Sequence, residues 1–290
     1  MQLRHVLAFT LLAAIWGASF LFARISAPEF GPIPFAFLRV GLAALALAPI
    51  FFLANHWQLL RQHFVIISII ALLNSGLPFI LYGYTALYLD AGITSVLNAT
   101  TPILTAVVAR FYLDSHLSKK QTIGLFISVF GVALLMSEKI NLSDTNFLSF
   151  IAPIGACLCY AISANMTKKK LSHLPSKLIA ASSMLTAGIL LLPFALFYWP
   201  SEQPSHTAWG SMLAVAIIST ALAYLIFFYL IREIGPAKTV SVTLLIPIFG
   251  ILWGVLFLDE TITFSVVAGT LVVLIGAYLS LSLNWFSNFR

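Results

Sequence analysis

The chain has 290 residues, of which 61% are hydrophobic and only 8% charged, with a net charge of +6. A soluble globular chain carries about 25% charged residues, so this composition excludes a water-soluble enzyme or nucleic-acid-binding domain and makes lipid the expected solvent. The basic residues sit in short gaps between apolar runs, which assigns the positive charge to membrane topology rather than to a nucleic-acid partner.

A transmembrane helix needs about 20 mostly apolar residues, and ten runs approach that length. They lie at 6–22, 34–54, 64–85, 91–112, 121–136, 147–166, 178–199, 208–230, 239–258 and 264–283.

The first run carries Trp16 and Ser19. Its basic start at Arg4 is compatible with a cleavable leader, but nine further runs favour a retained first span. Arg39 falls one turn into the second run, where it can snorkel outward, pair with Glu29 or attract a substrate carboxylate at the outer mouth; anchoring or gating is the favoured role. The third run contains Asn74 and Tyr82.

In the fourth run Thr94, Asn98, Thr101 and Thr105 recur at helical spacing and share one face. Such a face suits a polar cavity, although Thr and Asn also join helices by interhelical hydrogen bonds. Pro102 removes a backbone donor within this run, which predicts a kink or hinge where protein or water satisfies the freed carbonyl.

Gly124 and Gly131 of the fifth run are seven residues apart, as are Gly269 and Gly276 of the tenth, and both pairs read as surfaces for close helix packing. The sixth run holds Cys157 and Cys159, which match neither a disulfide framework nor a zinc pattern and read as packing residues, together with Tyr160 and Ser163. Lys168, Lys169 and Lys170 follow it as an anchor to anionic headgroups. The eighth run contributes Tyr224, and the ninth Thr243, Pro247 and Trp253.

With a cytoplasmic N-terminus, 12 of the 15 basic residues fall inside and three, Arg24, Arg39 and Lys139, outside. Cytoplasmic loops retain Lys and Arg, so both termini are expected in the cytoplasm.

The chain also matches itself at an offset of 145 residues. Tyr84 aligns with Tyr229, Thr94 with Thr239, Pro102 with Pro247, Leu113 with Leu258, Asp114 with Asp259, Gly124 with Gly269 and Gly131 with Gly276. Allowing one gap, Trp16 and Ser19 fall opposite Tyr160 and Ser163. Five spans per unit is an odd number, so the second unit must enter the membrane inverted. The expected fold is therefore an all-α membrane protein of ten transmembrane helices in two inverted five-helix repeats, 1–140 and 146–285.

These residues resemble the EamA-type branch of the drug/metabolite transporter superfamily. The resemblance is carried by Trp16-Gly17-Ala18-Ser19 in the first span, Phe37-Leu38-Arg39-Val40 in the second, and Pro102 with Leu113-Asp114. Pro247 with Leu258-Asp259-Glu260 completes it. Where the family usually has a glutamate in the first of these turns, this chain has Ser115. The resemblance implies metabolite transport, often export of amino acids or related compounds, by alternating access around a cavity between the halves.

All nine acidic residues fall at span ends or in loops. Coupled export of lipophilic cations favours an intramembrane carboxylate, so the expected substrate is neutral or zwitterionic. Its expected site comprises Trp16, Ser19, Asn74, Tyr82, Asn98, Thr101, Tyr160, Ser163, Tyr224 and Thr243, with Arg39, Pro102 and Pro247 as hinge or gating residues. The expected partners are a small molecule and the bilayer, without cofactor or metal; proton coupling and a monomeric or homodimeric state stay open. An intramembrane enzyme would need a catalytic constellation that the sequence lacks, and a fixed channel or scaffold fits broken, polar-faced helices less well.

Overall fold

The computed structural model describes residues 2–53, 61–114, 116–137 and 147–280. Ser115, Lys139, Arg290, the expected unit ends at 1, 140, 146 and 285, and the last residues of the tenth run lie outside the described residues. Among the described residues all regular structure is helical.

Helix α1 (Leu3–Phe30) ends at Gly31, whose φ of 78° is a conformation open to glycine at no steric cost, and Pro32 begins α2 (Pro32–Leu53). Helix α3 (Phe64–Thr85) contains a π turn at Leu72–Gly76. Two shorter helices follow, α4 (Ala91–Asn98) and α5 (Thr101–Tyr112), and then α6 (Lys119–Ser137). Next come α7 (Leu148–Lys170), α8 (Ser176–Phe197) and α9 (His206–Ile234), the last with a π segment at Ala214–Leu222. The chain continues through α10 (Pro236–Val240), a 3-10 turn at Ser241–Leu244, α11 (Ile246–Leu258) and α12 (Phe264–Ser280).

Among the described residues eight helical stretches are long and apolar enough to cross a membrane, with α4–α5 and α10–α11 each counting as one. Phe264–Leu279 is a shorter apolar helix. Large apolar side chains such as Leu45, Phe111, Phe126, Phe197 and Phe264 point outward, a surface that water would not tolerate but lipid does. The protein is thus a multi-pass membrane protein.

Inside, small residues let the helices approach. Ala13, Ala27, Ala36, Ala43, Ala187 and Ala223 are fully buried, as expected where packing rather than hydrophobic exclusion drives helix association. Contacts pair elements of the first half of the chain with elements of the second: α1 and α4 with α11, α2 with α8, α3 and α5 with α7, and α6 with α12. A Cβ at Gly131 would come within 2.8 Å of Val273, and one at Gly276 would overlap Ser128. The glycine pairs therefore serve packing of α6 on α12, where Ser128 Oγ also donates to the Val273 carbonyl at 3.3 Å.

Candidate functional site

The fourth apolar run does not kink as one helix; it breaks. Helix α4 stops at Asn98 and α5 restarts at Thr101, with Pro102 in its first turn. Proline has no N–H, so the Asn98 carbonyl loses its usual helical donor. Thr101 Oγ1 replaces it at 2.7 Å, and Thr100 Oγ1 likewise donates to Leu97 O at 2.8 Å. Cys157 Sγ on α7 lies 3.6 and 3.8 Å from the same two carbonyls. The threonine face is thus largely turned to backbone: Thr94 and Thr105 also donate to carbonyls of their own span. Pro247 likewise stands in the first turn of a new segment, α11, behind a 3-10 turn.

Beside the first break lies an aromatic and polar cluster. Tyr82 donates its hydroxyl proton to Asn98 Oδ1 at 2.7 Å, touches Cys157 Sγ at 3.4 Å and stacks on Tyr160 with ring centres 6.2 Å apart. Phe20 meets Tyr82 edge-on at 5.5 Å. Asn74, in the π turn of α3, donates from Nδ2 to the Tyr224 hydroxyl of α9 at 3.3 Å. A π turn holds an extra residue and redirects side chains, and such turns recur at functional sites.

Arg39 departs from both local readings made for it. It neither snorkels nor pairs with Glu29, whose carboxylate instead accepts the Ser205 N–H at 2.5 Å and the Ser205 hydroxyl at 2.8 Å. Arg39 turns inward, is 7% exposed, lies over the Phe79 ring at 3.8 Å and donates from Nε to Thr220 Oγ1 at 3.1 Å. Its charge is within electrostatic reach of Tyr160, Tyr224 and Tyr82.

The structure thus brings Asn74, Tyr82, Asn98, Tyr160, Tyr224 and Arg39 together, with the Thr101 hydroxyl spent on the Asn98 carbonyl. Of the other expected residues, Trp16 and Thr243 make their contacts outside this cluster. Trp16 packs on Phe227 with ring centres 5.3 Å apart, in an apolar group with Phe249. Ser19 and Ser163 are buried. Thr243 donates to Val240 O at 3.0 Å in its own segment. Sequence reasoning missed Cys157, Phe79 and Thr220: the first read as packing, and the other two carry no signal until α2, α3 and α9 meet.

A second polar feature occupies one end of the molecule. Asp259 ends α11 with φ 53°, and Asp114, 145 residues earlier, has φ 50° beyond α5. Aspartate is among the few residues that adopt this left-handed conformation readily. The turn after α11 then aims Glu260 at the start of α4, where its carboxylate accepts the N–H of Ala91 at 2.6 Å and of Gly92 at 3.0 Å. Burial pushes the Glu260 carboxyl above its ordinary range, with the two N–H groups acting in the opposite direction. Glu260 borders a recess of about 390 Å³ with Arg24, Asp90 and Asp259. At the other end of the broken span, Lys169 donates to the Tyr112 carbonyl at 2.9 Å and covers the Tyr112 ring at 4.5 Å.

Among the described residues the protein is thus a helical membrane protein with two broken segments and a buried aromatic and polar cluster. Among the described residues no group of His, Cys, Asp and Glu could hold a metal. The EamA-like transporter family model matches the chain twice, at residues 3–137 and 148–282, and the chain belongs to that family. An uncharacterized transporter of Bacillus subtilis, YoaV, is 24% identical over 96% of this chain and 97% of its own. A probable amino-acid metabolite efflux pump of Salmonella typhimurium is 24% identical, covering 93% of this chain and 92% of its own. One of Escherichia coli with the same description is 24% identical, covering 95% and 94%. A solved crystal structure superimposes with a TM-score of 0.67 over 96% of both chains at 14% identity, a likeness of fold.

Proposed function

We propose that this transporter moves a neutral or zwitterionic metabolite, an amino acid or a related compound, out of the cell across the inner membrane by alternating access. In this reading ten spans form two inverted five-helix repeats, 1–140 and 146–285, with both termini cytoplasmic. The 145-residue displacement between the two family matches supports the repeat, and the 12-to-3 distribution of basic residues supports the orientation.

The observation that carries the reading is the joining of Asn74, Tyr82, Asn98, Tyr160 and Tyr224 from α3, α4, α7 and α9, elements of both halves, beside a broken helix. Flat aromatic walls with a few placed polar atoms suit small-molecule binding. Ser19, Thr101 and Ser163 complete the walls, Trp16 and Thr243 join them as the segments re-angle between states, and Pro102 and Pro247 mark where that re-angling occurs. The likeness in sequence to proteins described as probable amino-acid metabolite efflux pumps favours this substrate class.

The test is counterflow in proteoliposomes against the twenty L-amino acids, with Asn98→Ala and Tyr224→Phe at matched insertion. Saturable, selective flux that drops at least about tenfold in Asn98→Ala, the size of losing a buried polar partner, is the expected result. Selective flux unchanged in both variants moves the site elsewhere, and no flux for any compound returns the scaffold reading.

A further inference from the structure

Among the described residues Arg39 is a cation without an anion. It starts about 10 Å into α2 at 1.5 Å per residue and reaches Thr220, in the middle of α9. Among the described residues no carboxylate forms an ion pair with it, and its Nε–H to Thr220 is the one hydrogen bond that its guanidinium makes. The nine acidic residues of the sequence all stand at segment ends or in loops. A charged group at this depth is costly unless it is paired, and the described residues supply no anionic partner.

The surroundings fix how an anion would be met. Thr220 Oγ1 spends its proton on the Val215 carbonyl at 2.8 Å, a spacing of five residues set by the π segment, and so presents a lone pair to Arg39 Nε. Phe79 covers one face of the guanidinium plane. The Nη edge, whose two parallel N–H groups match a carboxylate bidentately, has no protein acceptor among the described residues. Tyr224 accepts from Asn74, which leaves its own proton available to a ligand oxygen.

We propose that the Nη edge of Arg39, buttressed by Phe79 and Thr220, binds the carboxylate of the transported metabolite, with Tyr224, packed against the cluster that contains Phe79, as a second donor. This rests on the transport reading above and narrows it: the carboxylate is the recognised group, and the transported compounds are acids or zwitterions rather than amines or amides.

The experiment uses the full-length protein in proteoliposomes. For each L-amino acid that moves, the parent acid and its carboxamide compete for flux, in wild type, Arg39→Gln, Arg39→Lys and Thr220→Val. Wild type should prefer the acid about 10- to 100-fold, the range for a lost charge-assisted hydrogen bond. Arg39→Gln should reduce that preference to less than about threefold. Arg39→Lys keeps the charge without the fork and should fall between. Thr220→Val, which leaves the charge in place and frees Nε, should raise KM for the acid. Equal competition by acid and amide in wild type, as a guanidinium permanently neutralised by an inorganic anion would give, overturns the proposal while leaving transport standing. An unaltered preference in Arg39→Gln does the same. Absence of flux in wild type overturns both readings. Should Arg39→Gln fail to fold, the wild-type comparison and Thr220→Val decide.

Discussion

The two proline-broken segments, α4–α5 and α10–α11, start from matching sequence at a 145-residue offset and end in the same left-handed aspartate, yet they are held in different ways. The first is gripped by polar groups. Glu260 meets its N-terminal N–H groups, Lys169 meets its C-terminal carbonyl, and Tyr82 and Cys157 attend the break. Both charges come from the second half of the chain and have the sign that the helix dipole favours. The second is gripped by close packing: Gly250 seats on Ser95, and a Cβ at Gly17 would lie 2.7 Å from Phe249. Backbone geometry has been kept in both copies while the side chains have divided the labour, one segment beside the polar cluster and the other as its packed wall.

The largest expected effect breaks the packed side of this comparison. Gly250→Val would drive a Cβ into Ser95, and over-packing at a helix crossing should lower stability by about 3 kcal/mol and reduce accumulation in the membrane. Gly210, which has nothing within 4 Å of an added Cβ, is the control, and Gly210→Val should stay within about 0.5 kcal/mol. Thermal unfolding in detergent separates the two; equal losses would refute the packing argument.

Next is the charged grip. Glu260→Ala leaves the Ala91 and Gly92 N–H groups without an acceptor and should lose about 1–3 kcal/mol. Glu260→Gln keeps an acceptor and should lose less. Because burial raises the folded carboxyl above its unfolded value, the folded protein binds this proton more tightly than the unfolded chain. The penalty for the ionised form is present above the folded pKa and lifts as pH falls through it. Wild type should therefore gain thermal stability on mild acidification relative to Glu260→Gln. A gain equal in the two proteins would remove Glu260 as its source.

The smallest effect compares the breaks themselves. Tyr82→Phe removes the donor to Asn98 and should lose about 0.5–1.5 kcal/mol, whereas Thr243→Val removes only a bond back to its own segment and should lose less than about 0.5 kcal/mol. A reversed order would mean that the second break, not the first, is the polar one.

Much of this was legible in the sequence. Apolar runs bounded by charge give the helices, since lipid forces backbone groups to be satisfied within each span, and Pro102 and Pro247 mark the breaks, since a missing N–H acts on the adjacent turn. The alignment of Asp114 with Asp259 marks equivalent turns, and both aspartates share the left-handed φ. Such effects reach only a few residues along the chain. The tertiary structure alone decided that Arg39 turns inward to Thr220, 181 residues away, that Cys157 supports a carbonyl 60 residues earlier, and that Glu260 crosses 169 residues to Ala91. The spans are so evenly apolar that periodicity does not separate the lipid face from the interior, and the rotation of each helix about its axis is set by which small residues let which neighbours approach.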